Sequence, residues 1–100
     1  MRLTPRAREI LRLMVEPKAG DDGQLVGEAG QWWVDIERTS WACVRPLLHL
    51  ALIKLEYESR GYQMFVATEE ARKVLEDPSY VPEIVRAFQA RVSETRDRTP

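Results

Sequence analysis

The sequence predicts one mainly α domain of the α+β class, in which three helices precede a two-stranded hairpin and further helices follow it. Three observations carry that expectation. The 100 residues can enclose about one small core. Apolar types at 44% against 31% charged can offset chain entropy, which excludes a disordered tail. The apolar period is helical over residues 7–14 and 44–52, changes to alternation over 53–66, and turns helical again from residue 71.

Thr4-Pro5 opens the first helix, with a hydroxyl at the N-cap and a proline where an N–H would be unpaired anyway. Ala7, Ile10, Leu11 and Met14 make its apolar stripe, and Pro17 with the loop Gly20-Asp21-Asp22-Gly23 ends it. Gln24 to Gly27 is read as a very short strand around Leu25-Val26. Ala29, Trp32, Trp33 and Ile36 repeat helical spacing, so 31–38 is expected as a second helix with both tryptophans in the core. Val44, Leu47, Leu48, Ala51 and Leu52 form the best stripe in the chain. A third helix is therefore expected to start before Trp41 and to bend at Pro46.

Ile53, Leu55 and Tyr57 then alternate with Lys54, Glu56 and Glu58, and Tyr62, Met64 and Val66 alternate with Gln63, Phe65 and Ala67. A hairpin closed at Ser59-Arg60-Gly61 would set Tyr57 opposite Tyr62, Leu55 opposite Met64 and Ile53 opposite Val66. Thr68 followed by Glu69 and Glu70 suits the positive end of a fourth helix, which carries Ala71, Val74 and Leu75 to about Asp77. Pro78 breaks it. Pro82 starts a last helix with the strip Ile84, Val85, Phe88 and Val92, and Ser93 to Pro100 is expected as a frayed tail.

A single cysteine, Cys43, excludes an intramolecular disulfide framework, and with the single histidine, His49, leaves no Cys/His set for a four-ligand zinc site. Cys43 is read as a small core residue. No apolar run exceeds four residues, and the opening Met-Arg-Leu-Thr-Pro-Arg has no apolar leader, so the expectation is a cytoplasmic protein with no membrane partner. Gly20, Gly23, Gly27 and Gly30 miss the spacings of phosphate-binding loops, and no nucleophile–base pairing is written into the chain. Neither an enzyme nor a cofactor is expected.

The order of elements, with Thr39-Ser40-Trp41-Ala42-Cys43-Val44-Arg45, Leu52-Ile53-Lys54 and the run from Tyr62 to Leu75, resembles a winged helix-turn-helix domain of the MarR and PadR type. The resemblance, carried over roughly residues 4 to 76, implies a winged helix-turn-helix domain over 1–77; beyond it the residues themselves are read as a C-terminal helix over 78–93, a candidate dimerisation element, and a flexible tail over 94–100. It departs from the family at Ala51 and Ala71, where glycine is frequent, and at Pro46 inside the third helix.

Net charge is −1, distributed as +3 over residues 1–20, +3 over 38–54 and −7 over the remainder. Two basic blocks in an acidic background, together with the resemblance, imply a small transcriptional regulator on double-stranded DNA, nucleoid-associated in the cell. The expected DNA contacts are Ser40, Arg45 and His49 on the third helix, Arg38 and Thr39 at its entry, Lys54 and Arg60 on the wing, and Arg6 and Arg8 in the first helix. The competing reading is a protein-binding winged helix, an adaptor or inhibitor of host machinery. Trp41 would be its anchor, because tryptophan is enriched among interface hot spots. The strip Ile84, Val85, Phe88 and Val92 lies beyond the expected core, and so implies a homodimer through the last helix.

Overall fold

The computed structural model describes residues 3–35 and 37–97, the last five by their backbone alone. Its elements run α1 (Pro5–Val15), β1 (Leu25–Glu28), β2 (Gln31–Val34), β3 (Glu37–Thr39), α2 (Trp41–His49), β4 (Ile53–Ser59), β5 (Tyr62–Ala67), α3 (Glu69–Glu76) and α4 (Glu83–Asp97). The strands form one antiparallel sheet in the order β3-β2-β1-β5-β4. This corrects the expected fold class: a five-stranded sheet replaces the three-helix winged helix with its two-stranded wing.

The correction originates at residues 31–39, where two strands stand in place of the expected second helix. A spacing of Trp32, Trp33 and Ile36 satisfies a helix, but Trp and Val also suit a pleated surface, and the turn chemistry decides. Ala29 (φ 51°) and Gly30 (φ 79°) both sit in the left-handed region, the requirement of a two-residue hairpin loop. β1 and β2 therefore pair directly, Leu25 with Val34 and Gly27 with Trp32. The flanking β5 adds Phe65 opposite Leu25.

Leu25, Val34 and Phe65 share one face of the sheet and are buried against Ile10, Leu11, Val44 and Leu47 of α1 and α2, with Ala71 and Val74 of α3 completing the core. Side chains alternate along each strand, so Val26, Trp33, Arg38, Met64 and Tyr57 form a row across the other face. The two tryptophans expected side by side in the core are thus parted. Trp32 lies on the helical face and Trp33 on the opposite one, each half-buried.

The β4–β5 hairpin keeps its expected position but not its register. Arg60 (φ 47°) and Gly61 (φ 83°) make the loop alone, Ser59 pairs with Tyr62, and Glu56 is the extra residue of a bulge between Leu55 and Tyr57. Tyr57 accordingly faces Met64, Leu55 faces Phe65 and Ile53 faces Ala67.

Three helix termini follow local chemistry. Thr4 Oγ1 accepts from the Ala7 N–H at 3.1 Å, as its position predicts. α2 begins at Trp41 with Pro46 inside it, and the missing proline N–H deprives the carbonyl of exposed Ala42, which water can satisfy. It ends earlier than the apolar stripe: Ala51 N–H bonds to Leu48 O and Leu52 N–H to Leu47 O, a Schellman closure with Ala51 at φ 57°. Thr68 precedes α3, yet its hydroxyl donates to Ala51 O at 2.7 Å and ties that closure to the next helix instead of capping.

α4 continues to Asp97, past the expected helix end near Val92, which replaces the start of the expected tail; residues 98–100 lie outside the described residues. Among the described residues it has no extensive packing against another element. The radius of gyration, 15.5 Å, exceeds the roughly 13 Å of a spherical 100-residue domain, and the long axis reaches 55 Å.

Candidate functional site

The expected DNA contacts separate in three dimensions. Arg6 is bound within the fold: its guanidinium donates to Arg38 O at 2.5 Å and to Glu37 at 3.4 Å, and it pairs with Glu9 at 3.0 Å. It therefore staples α1 to β3. Arg8 is half-buried on α1. Thr39 lies on the helical face opposite Trp32, with Oγ1 buried and without a hydrogen-bond partner. Ser40 occupies the N-cap position of α2 but its hydroxyl makes no capping bond.

Arg45 and His49 are exposed on α2, where they border a shallow concavity with Ala42, Pro46 and Leu50. Arg38 and Lys54 are on the other face of the sheet, one on each of its two edge strands. Arg60 is at the hairpin tip. The geometry brings Arg45 and His49 together and puts Arg38 and Lys54 behind the sheet from them. No single surface presents the set.

What the fold does assemble is an aromatic patch on the helical side. α2 reaches only part of that face, and its first residue, Trp41, leans over the neighbouring strands. The Trp41 and Trp32 rings are 5.4 Å apart at 32°, and Trp32 is 5.8 Å from Phe65 at 44°. Gly27 makes room for this stack: a Cβ there would stand 2.5 Å from the Trp32 ring. Leu55, the cross-strand neighbour of Phe65, extends the patch across the sheet. Trp41 remains 48% exposed although its ring stacks on half-buried Trp32, and Leu55 remains 46% exposed although it pairs with buried Phe65.

Sequence reasoning singled out Trp41 but assigned Trp32 to the core and set Leu55 opposite Met64 on the hairpin. Their exposure depends on how much of the sheet α2 roofs, which no periodicity encodes. The border of the patch is mixed in charge. Arg45 lies one turn beyond Trp41, and Glu58, at the far end of β4, accepts from the Gln63 amide at 2.8 Å.

A second polar feature sits on the loop side of the molecule. Asp35, at φ 56°, shares a cleft with Asp21 and Asp22, and its Oδ2 is buried without a partner. Burial, and then the Asp21 carboxyl, push its pKa above the ordinary aspartate value. Among the described residues no three His, Cys, Asp or Glu side chains are placed to hold a metal ion, and no helix is long and apolar enough to cross a membrane.

Compared with known family models, curated proteins and solved structures, the chain matches none.

Proposed function

We propose that this chain is a protein-docking module whose anchor is the Trp41–Trp32–Leu55 patch, recognising an amphipathic helix through its apolar face. The observation that carries the reading is an exposed tryptophan stacked on a second, half-buried one, with exposed Leu55 on the same face of the sheet. Small proteins seldom leave such contiguous apolar surface to water unless a partner covers it. Tryptophan supplies large contact area at little entropic cost, so a rigid, pre-stacked indole is suited to a hot spot. The lone thiol of Cys43 fits a reducing, cytoplasmic setting.

Duplex binding is the weaker reading, because Arg45 and His49 stand on one side of the sheet and Arg38 and Lys54 on the other. Photo-cross-linking tests the choice: a benzophenone amino acid replaces Trp41 in one sample and exposed Lys18, on the loop after α1, in another. Protein adducts formed from position 41 and not from position 18 are expected. Equal adducts from both positions, or an Arg45-dependent, salt-sensitive gel shift on duplex DNA, would overturn the proposal.

A further inference from the structure

We infer that the helix occupying the Trp41 patch is α4 of a second copy of this chain, exchanged reciprocally between two protomers; the inference rests on the docking reading above and names its occupant. α4 carries Ile84, Val85, Phe88 and Val92 on one stripe, of which Val85 and Val92 are half-buried while Ile84 is 48% and Phe88 67% exposed. A 15-residue helix standing free in water is marginal, so this stripe gains stability only by being covered.

Its own body is poorly placed to cover it. The Glu70 carboxylate accepts from Tyr80 O–H at 2.5 Å and from the Glu83 N–H at 2.7 Å, which joins the start of α4 to α3. Two cations lie over the Tyr80 ring, Lys73 at 5.7 Å and Arg86 at 5.4 Å from its centroid. Pro78 and Pro82 stiffen the same connection. The clamp fixes the start of α4 against α3, and among the described residues the helix packs extensively on no other element. An arm held outward by a short, stiff linker reaches another molecule more readily than its own sheet.

Area favours exchange over a simple pairing of the two strips. Four apolar side chains, one aromatic, offer on the order of 300–400 Å² per helix, so two strips face to face would bury about 600–800 Å², the range of a crystal contact. Two strips laid on two patches bury about 1,200–1,600 Å², the range of a stable dimer. Charge sets the direction: Glu83 leads the stripe and Arg45 borders Trp41, so the first turn of α4 falls beside α2 while Phe88 reaches Trp32 and Leu55. The β4 edge does not compete as an interface, because its bulge and its Lys54, Glu56 and Glu58 side chains blunt strand addition.

The test is sedimentation of the full chain at micromolar concentration, comparing the unaltered protein, Trp41→Glu, Leu55→Glu, Phe88→Glu, and an equimolar mixture of Trp41→Glu with Phe88→Glu. Each altered residue is about half exposed or more, and circular dichroism confirms that each variant is folded. The unaltered chain is expected to be a dimer, and each variant alone a monomer with at least tenfold weaker association. The mixture should regain dimers, since the intact α4 of one variant meets the intact patch of the other. A dimer that ignores Trp41→Glu and Leu55→Glu, a mixture that stays monomeric, or an unaltered monomer overturns the exchange. If position 41 still cross-links specifically to a different protein, only the identity of the occupant falls; if it does not, the docking reading falls with it.

Discussion

The six-membered ring of Trp32 fills the space directly above the Gly27 Cα, its atoms 2.5–2.7 Å from where a Cβ would be. The two residues face each other across the β1–β2 ladder, so neither can move without disturbing the hairpin. Gly27 is therefore a packing requirement here, with no positive φ to explain it.

Gly27→Ala is expected to cost about 1–3 kcal/mol, because the added methyl forces the indole off its rotamer or parts the strands. Chemical denaturation gives the loss. The tryptophan emission of the folded variant should also change, since Trp32 can no longer stack on both Trp41 and Phe65. A variant as stable as the parent with unaltered emission would show that the ring is not confined by the glycine.

Ala51 closes α2 at φ 57°, the left-handed position that glycine usually fills. The left-handed conformation costs an L-residue about 1–2 kcal/mol, and glycine loses part of that gain through its freer unfolded chain. Ala51→Gly should stabilise the protein by about 0.5–1 kcal/mol, measured as a higher denaturation midpoint at unchanged m-value. Destabilisation would mean that the Ala51 methyl contributes more packing than its backbone costs.

Thr39 separates the two readings of the chain directly. Its buried, unpartnered hydroxyl costs stability, and valine has the same shape without the polar atom. Thr39→Val is expected to add about 0.5–1.5 kcal/mol and to leave any duplex affinity unchanged. A loss of duplex affinity with no gain in stability would restore Thr39 as a DNA contact.

The Asp35 carboxyl has its pKa raised by burial and by Asp21, so the native state holds a proton that the unfolded chain releases. Stability from this group is present below the ordinary aspartate pKa of about 3.9 and is lost as pH rises through the raised native value. At neutral pH the charged, partly desolvated carboxylate is a cost. Asp35→Asn removes it, and asparagine tolerates a positive φ. The melting temperature should rise by about 3–5 °C at pH 7, with the gain shrinking toward pH 4. A gain that grows on acidification would contradict the assignment. Glu70 has the opposite sign: the Tyr80 hydroxyl, the Glu83 N–H and Lys73 lower its pKa against the opposing effect of burial, so its contribution persists at neutral pH and fades in acid.

The helices were legible in the order of residues because each depends on neighbours within a turn or two. The stripe and cap of α1, the first residue of α2 and the proline-bounded start of α4 all follow from such local terms. The hairpin loop at Arg60-Gly61 was legible in position, but its register was not, since the bulge at Glu56 is chosen by how β5 also pairs with β1. Residues 31–39 misled for a related reason. Their spacing fits two periods, and the strand won because β1 was there to pair with it and the Ala29-Gly30 loop could close the turn.

Sequence alone determined which side chains are apolar, where α1, α3 and α4 begin, and that the α4 strip lies beyond the expected core. Tertiary structure alone decided that Trp32 and Trp33 face opposite ways, that the basic residues part onto two sides, and that Trp32 stacks on both Trp41 and Phe65. The reason is physical. Helix periodicity and capping are interactions along the chain, whereas which sheet face a strand residue occupies, and what roofs it, are set by partners on other elements, up to 40 residues away.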